Sequence, residues 1–182
     1  MGLNPQVALP RDLIDKSMQW AQQVVDDYAS GRNANSRAVT CFDAHANVDL
    51  QAKARMAECA FAIWCGCDPV YALRWERTCD DGSDLFWRGK RWDVKATKLS
   101  GRYLIWPIAK NHIYDSKRFD MLVLVKHQCP KFEIAGFVSK AEFRERKKVA
   151  PDNHALFVGT WHLHESDLWP VELLGVEEQG AT

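Results

Sequence analysis

The chain has 182 residues, enough for one domain with a sizeable core, and its 24 basic side chains balance 24 acidic ones to a formal net charge of zero. That balance argues against a protein that coats nucleic acid indiscriminately and leaves room only for local basic patches. No stretch approaches the ~20 apolar residues of a membrane span, residues 1–10 lack the basic and apolar regions of a secretory signal, and six irregularly spaced cysteines suit reduced thiols in a cytoplasm.

In chain order, residues 9–30 read as an amphipathic helix. Ile14, Met18, Ala21, Val25 and Tyr28 recur at spacings of three and four. Pro10 and Asp12 suit its first turn, and Gly31 stops it. Residues 32–37 are a polar loop. Residues 47–65 form a second helix whose Val48, Ala52, Met56, Cys59, Ala60 and Ile63 make a buried stripe. Gly66-Cys67-Asp68-Pro69 ends it, and residues 71–75 can continue either as a helical turn or extended. Residues 78–83 are a polar loop. Residues 103–108, with Trp106-Pro107 inside, are a short edge strand or a loop. Residues 110–119 are polar, with room for a helical turn. Residues 120–125 are nearly all apolar, the mark of a central strand buried on both faces. Residues 132–138 return as a strand containing Gly136. Ser139-Lys140-Ala141-Glu142 is a capping box that opens a helix to about Lys148. Pro151-Asp152-Asn153 is a turn, residues 155–163 a loosely alternating strand, residues 166–174 a short helix or cap, and residues 175–182 an acidic tail.

The chemistry gathers on residues 83–97. Leu85 to Trp87 is a short apolar strand, Arg88-Gly89-Lys90 a polar turn, and residues 91–97 the return strand of a hairpin. Residues two apart on a strand share a face, so Asp93 and Lys95 stand side by side. Asp84 opens the first strand, within reach across the hairpin. Two carboxylates and a lysine can hold a hard cation and steady an anionic transition state. The plainer reading of Asp93 and Lys95 is a salt-bridged pair on a solvated strand face. Arg88, Lys90 and Arg91 at the hairpin tip, with Lys98 and Arg102 beyond it, are the cations placed to meet phosphate.

Asp84 followed by Asp93-Val94-Lys95 resembles the signature of the PD-(D/E)XK nuclease superfamily. The resemblance spans roughly residues 52–145 in order, and it departs from the pattern at Ser83, where the family name has proline. It implies an α/β, restriction-endonuclease-like core, a mixed central sheet of four or more strands flanked by helices. Residues 1–37, with their helix, would be an N-terminal extension, residues 47–148 the core of a single nuclease-like domain, and residues 149–182 a C-terminal strand, cap and tail. The resemblance further implies Mg²⁺, with Mn²⁺ as substitute, held by Asp84, Asp93 and the Val94 backbone carbonyl. Lys95 would assist the attacking water, and Glu58 of the preceding helix would support the metal. Read on its own, Glu58 is a surface residue beside the apolar stripe, and the downstream hairpin brings the metal-supporting reading level with that one.

The expected activity is therefore hydrolysis of DNA phosphodiester bonds, with RNA as another substrate class and a homodimer suited to double-strand cutting. A compact nuclease of this kind would suit a phage or a defence system. The alternative is a non-catalytic nucleic-acid- or protein-binding module on the same fold. His112 is read either as a phosphate contact or as a structural histidine. Arg144, Arg146, Lys147 and Lys148 form a basic run whose plain reading is a solvated helix face paired with Glu142 and Glu145. The eight tryptophans could stack on bases but more commonly fill cores. A zinc site from Cys65 and Cys67 with Cys59 or Cys79 and His162-x-His164 matches no established spacing.

Overall fold

A computed structural model describes residues 4–30, 47–70, 83–107, 111–149 and 160–174. The expected features at 32–37, 71–75, 78–82, 151–153, 155–159 and 175–182 lie outside the described residues. In chain order the elements are β1 (Gln6–Ala8), α1 (Arg11–Ala29), α2 (Val48–Trp64), β2 (Leu85–Trp87), β3 (Lys90–Lys98) and β4 (Tyr103–Pro107). There follow α3 (Asn111–Ser116), β5 (Met121–Gln128), β6 (Lys131–Ser139), α4 (Lys140–Arg146), β7 (Lys148–Val149) and β8 (Thr160–His164). Short 3-10 turns at Glu165–Asp167 and Val171–Leu174 close the described chain.

The architecture is α/β. Among the described residues, five strands form a mixed sheet in the order β1-β6-β5-β3-β2, and three form a second sheet in the order β4-β8-β7. β5 is the middle of the larger sheet and runs parallel to β3 and antiparallel to β6. Its apolar run is buried on both faces, as its composition demands. Val123 and Val125 face the core built with Trp92, Val94 and the helices α1 and α2. Leu122 and Leu124 face a second core with Leu104 and Trp106 of β4, Tyr114 of α3, Phe143 of α4 and Leu163 of β8. The sheet is thus a partition between two cores, and β3 turns Trp92 and Val94 into the first and Asp93 and Lys95 to the opposite face.

Local chemistry explains the joints. The hairpin closes on Arg88 and Gly89, both with positive φ (50° and 71°), the conformation a two-residue turn requires for its strands to keep their natural twist. Asn47 caps α2 by accepting the Leu50 amide at 3.1 Å. The capping box at Ser139 and Glu142 is formed in both directions. α4 ends at Arg146, earlier than the sequence suggests, because residues 148–149 turn extended to pair with β8. Gly136 sits at a bulge, where the register against β5 slips past Ala135. A Cβ there would lie 2.8 Å from Leu168 Cβ and 3.0 Å from Trp169 O, so glycine lets residues 168–169 lie against the sheet.

Three further expectations change. α1 buries Ala21 as expected, but Leu13 and Ser17 take the places expected of Ile14 and Met18, and Met18 is exposed. Small residues win because α1 packs closely on α2, and Ser17 is affordable there since its hydroxyl donates to Leu13 O at 2.8 Å. α2 is buried on more than one side, adding Ala57, Phe61 and Ala62, because the sheet covers one flank and α1 another. The late basic run is solvated at Arg144 and Lys148, but the partners of Arg144, Arg146 and Lys147 lie outside its own helix. Arg146 Nη2 donates to Asp167 O at 2.6 Å, Arg144 reaches Asp115 at 3.6 Å, and Lys147 lies 3.2 Å over the Trp161 ring. Glu142 is taken by the cap instead. No helix among the described residues is long and apolar enough to cross a membrane.

Candidate active site

β2 is only three residues long, and its ladder with β3 ends at the Leu85–Trp92 pair. Beyond Trp92 the outer edge of β3 has no partner strand among the described residues. There the two faces of the sheet communicate, and an open cleft of about 450 Å³ forms. Its walls include Glu58 from α2, Asp84, the Asp93–Ala96 segment of β3, and Lys117 from the segment after α3. The N-terminal half of α2 adds Gln51 and Lys53, and β5 adds His127.

Asp84 is fixed by backbone bonds on either side of Asp93. Its amide donates to Trp92 O at 2.8 Å, and its Oδ2 accepts the Val94 amide at 2.6 Å. The carboxylate thereby replaces the missing next residue of the β2 ladder. Val94 turns its side chain into the apolar core while its backbone lines the cleft. Asp93 points to the opposite face, 1% exposed. It is ion-paired through Oδ2 with Lys95, as the two-residue spacing predicts, and through Oδ1 with Lys117 at 3.3 Å. Oδ2 is nevertheless a buried oxygen that receives no hydrogen bond. Lys95 also lies 4.5 Å over the Trp106 ring, which holds its ammonium from the second sheet.

Glu58 reaches the cleft from the other side, its side chain 10% exposed and ion-paired with Arg55 one turn earlier. The Arg55 guanidinium stacks 3.9 Å from the Trp20 ring centroid, so α1 steadies the residue that steadies Glu58. Burial pushes the Glu58 carboxyl well above its ordinary range, Asp84 pushes it further, and Arg55 pulls back. Asp84 is raised to about 6, first by burial and then by Asp93, against Lys95 and Lys117. His127 is lowered by burial and by the nearby charge of Lys53.

The cleft therefore gathers Glu58, Asp84, Asp93, Val94 and Lys95. It does not gather the cations expected to meet phosphate. Arg88 donates to Leu174 O and stacks 4.7 Å over Trp87. Lys90 and Arg91 are exposed at the hairpin end, about 10 Å and about 7 Å along β3 from Asp93 at roughly 3.3 Å per residue. Lys98 is exposed near the other end, beside His127 in the ladder, and Arg102 faces Glu165 at 3.8 Å. His112 falls in the first turn of α3, and its side chain lies outside the described part of the structure. Sequence reading missed Arg55, Lys117 and Trp106. The three-residue spacing of Arg55 and Glu58 on a helix was a usable signal. Lys117 and Trp106 arrive by tertiary contact and left no local pattern.

The donor chemistry suits a hard divalent cation. All candidate ligands are oxygens, two of the carboxyls are raised partly by their neighbours' charge, and Asp93 Oδ2 is buried with the Lys95 ion pair and no hydrogen bond. Mg²⁺ is commonly held by one or two carboxylates plus substrate phosphate, not by a full protein cage. Among the described residues no group of three or more His, Cys, Asp or Glu side chains is set to hold a metal ion. The cysteines and histidines of the zinc reading are not brought together. His162 and His164 pack about Tyr103 in the second sheet, whereas Cys59 belongs to the α2 core, where burial pushes its thiol up to about 12. Cys65 and Cys67 are also raised by burial, and Cys79 lies outside the described residues. No protein-family model matches the chain, and neither a curated protein nor a solved structure matches it.

Proposed function

We propose that this chain is a metal-dependent nuclease that hydrolyses DNA phosphodiester bonds, built on a restriction-endonuclease-like core of the PD-(D/E)XK kind. The observation that carries the reading is the convergence of Glu58, Asp84, Asp93 and Lys95, from three separate elements, on one cleft at an open strand edge. A salt-bridged pair on a solvated strand face would not need Asp93 buried to 1% or two further carboxyls beside it. Asp84, Asp93 and the Val94 carbonyl would hold Mg²⁺ or Mn²⁺, with Glu58 in support. When bound, the cation supplies Lewis acidity for the phosphodiester and its leaving oxygen. Asp84, bonded to the Val94 amide, keeps the carboxylates in fixed register. Lys95, braced by Trp106, presents its ammonium to the attacking water or to the negative charge that grows on phosphorus oxygens.

A non-catalytic nucleic-acid- or protein-binding module is the second reading, favoured by the two lysines that already neutralise Asp93. Purified protein incubated with circular, linear and single-stranded DNA and with RNA, in Mg²⁺, Mn²⁺ or EDTA, separates the two. The nuclease reading expects cleavage that requires metal. Absence of cleavage together with no rise in melting temperature on adding Mn²⁺ would favour the binding module.

A further inference from the structure

Asp93 is the innermost carboxylate of the cleft, yet two ammonium groups sit on it. Lys95 is bound to be there, because strand geometry puts it on the same face two residues on. Lys117 is not. It comes from the segment between α3 and β5, and its position is imposed from outside the site. Lys140, at the start of α4, donates from Nζ to Lys117 O at 2.6 Å and to Asp115 O at 3.5 Å. Its ammonium also lies 4.6 Å over the Phe119 ring. The backbone that carries Lys117 is thereby pinned while its long side chain extends into the cleft, 20% exposed.

Charge counting shows what this does. Glu58 is paired with Arg55, and Asp93 with Lys95 and Lys117, while Lys53, which also lines the cleft, is paired with Asp49. At Asp93 itself the two lysines exceed the one carboxylate. A divalent cation entering alone meets positive charge at the atoms meant to receive it. A phosphodiester entering with it offers Lys117 a second anion.

We propose that Lys117 is a phosphate-binding residue that covers Asp93 in the metal-free site, and that the divalent cation and a nucleic-acid phosphate bind cooperatively because both displace the same ion pair. This rests on the nuclease reading of the cleft. Linkage makes the effect reciprocal: whatever factor phosphate gives to metal affinity, metal returns to phosphate affinity. Metal affinity without substrate is weak by construction, and removing Lys117 strengthens it while uncoupling it from substrate.

The test is calorimetric titration of the full chain with Mn²⁺, alone and with a phosphorothioate-linked DNA duplex, for the parent, Lys117→Met and Lys117→Arg. The parent is expected to bind Mn²⁺ about tenfold more tightly with the duplex than without. Lys117→Met should bind Mn²⁺ alone more tightly by a similar factor and lose most of the coupling, and Lys117→Arg should keep it. Lys140→Met, which frees the Lys117 backbone without touching the charges in the cleft, should shift both quantities in the same direction by less, and it serves if Lys117→Met does not fold. Mn²⁺ binding that is unchanged in Lys117→Met and Lys140→Met, with coupling intact, would overturn the role of Lys117 and leave the metal site standing. Failure of every protein to bind Mn²⁺ with or without duplex would overturn the nuclease reading, and this inference with it.

Discussion

Asp84 turns its carboxylate back onto the Val94 amide and keeps it there at some cost, because burial and Asp93 both favour its protonated form. Its folded-state pKa of about 6 lies above the ordinary 3.8, so the folded chain binds this proton more tightly than the unfolded chain does. The contribution to stability is complete below pH 3.8 and is lost as pH rises through about 6. Asp84→Asn keeps an acceptor for Val94 and removes the charge. In metal-free thermal melts it should match the parent at the acidic end and exceed it at neutral pH by on the order of 1–3 kcal/mol. A variant less stable than its parent above pH 6 would show that neighbouring cations hold the carboxylate ionised. Glu58→Gln should behave alike, since burial and Asp84 raise that carboxyl too. Stability gained by removing a site residue is the usual sign of a site kept for function. Asp93 and Lys95 were legible because strand periodicity fixes who faces whom, and Asp84 because the hairpin brings the start of β2 across from β3. Lys117 was not, because its place depends on where a distant helix pins a loop.

At the scale of elements, short-range chemistry was readable and long-range pairing was not. The hairpin, the central strand β5 and the capped helix α4 each carry their own signal: a glycine turn, an unbroken apolar run, a Ser-x-x-Glu box. β1 is three residues with a single buried side chain, too short to show a period, and it exists because β6 offers it an edge. The second sheet joins β4 to β8 across more than fifty residues, a partnership that neither strand announces. It matters for the site, since Trp106 of β4 braces Lys95. Two substitutions test these joints by chemical denaturation. Gly136→Ala must push its new methyl against Leu168 and Trp169, and should cost about 1–3 kcal/mol. Ser139→Ala removes the hydroxyl that accepts the Glu142 amide and should cost about 1 kcal/mol. If Gly136→Ala were neutral, the close approach of residues 168–169 to β6 would not be a constraint.

For the molecule as a whole, zero net charge means that attraction to a polyanion has to be local. The cleft supplies it asymmetrically. Carboxylates crowd the side of β3 next to β2, and Lys53, His127 and Lys98 lie toward the other end. Replacing Lys53 and Lys98 together by alanine should weaken DNA binding and flatten its salt dependence by about two units of log–log slope, one per lost phosphate contact. An unchanged slope would move the binding track elsewhere on the surface. The two-core plan also explains how a buried Asp93 is tolerated: it lies at the sheet's open edge, next to the cleft, with lysines from β3 and from the segment after α3 converging on it. The central claim, that this edge cuts phosphodiester bonds, is tested most directly by the rate at which supercoiled plasmid is lost in Mg²⁺ with the parent protein and with Lys95→Ala. The account predicts metal-dependent loss by the parent and a rate lower by about 100-fold or more in the variant, with its melting temperature preserved. Equal rates for the two proteins, or cleavage that persists in EDTA, would contradict it.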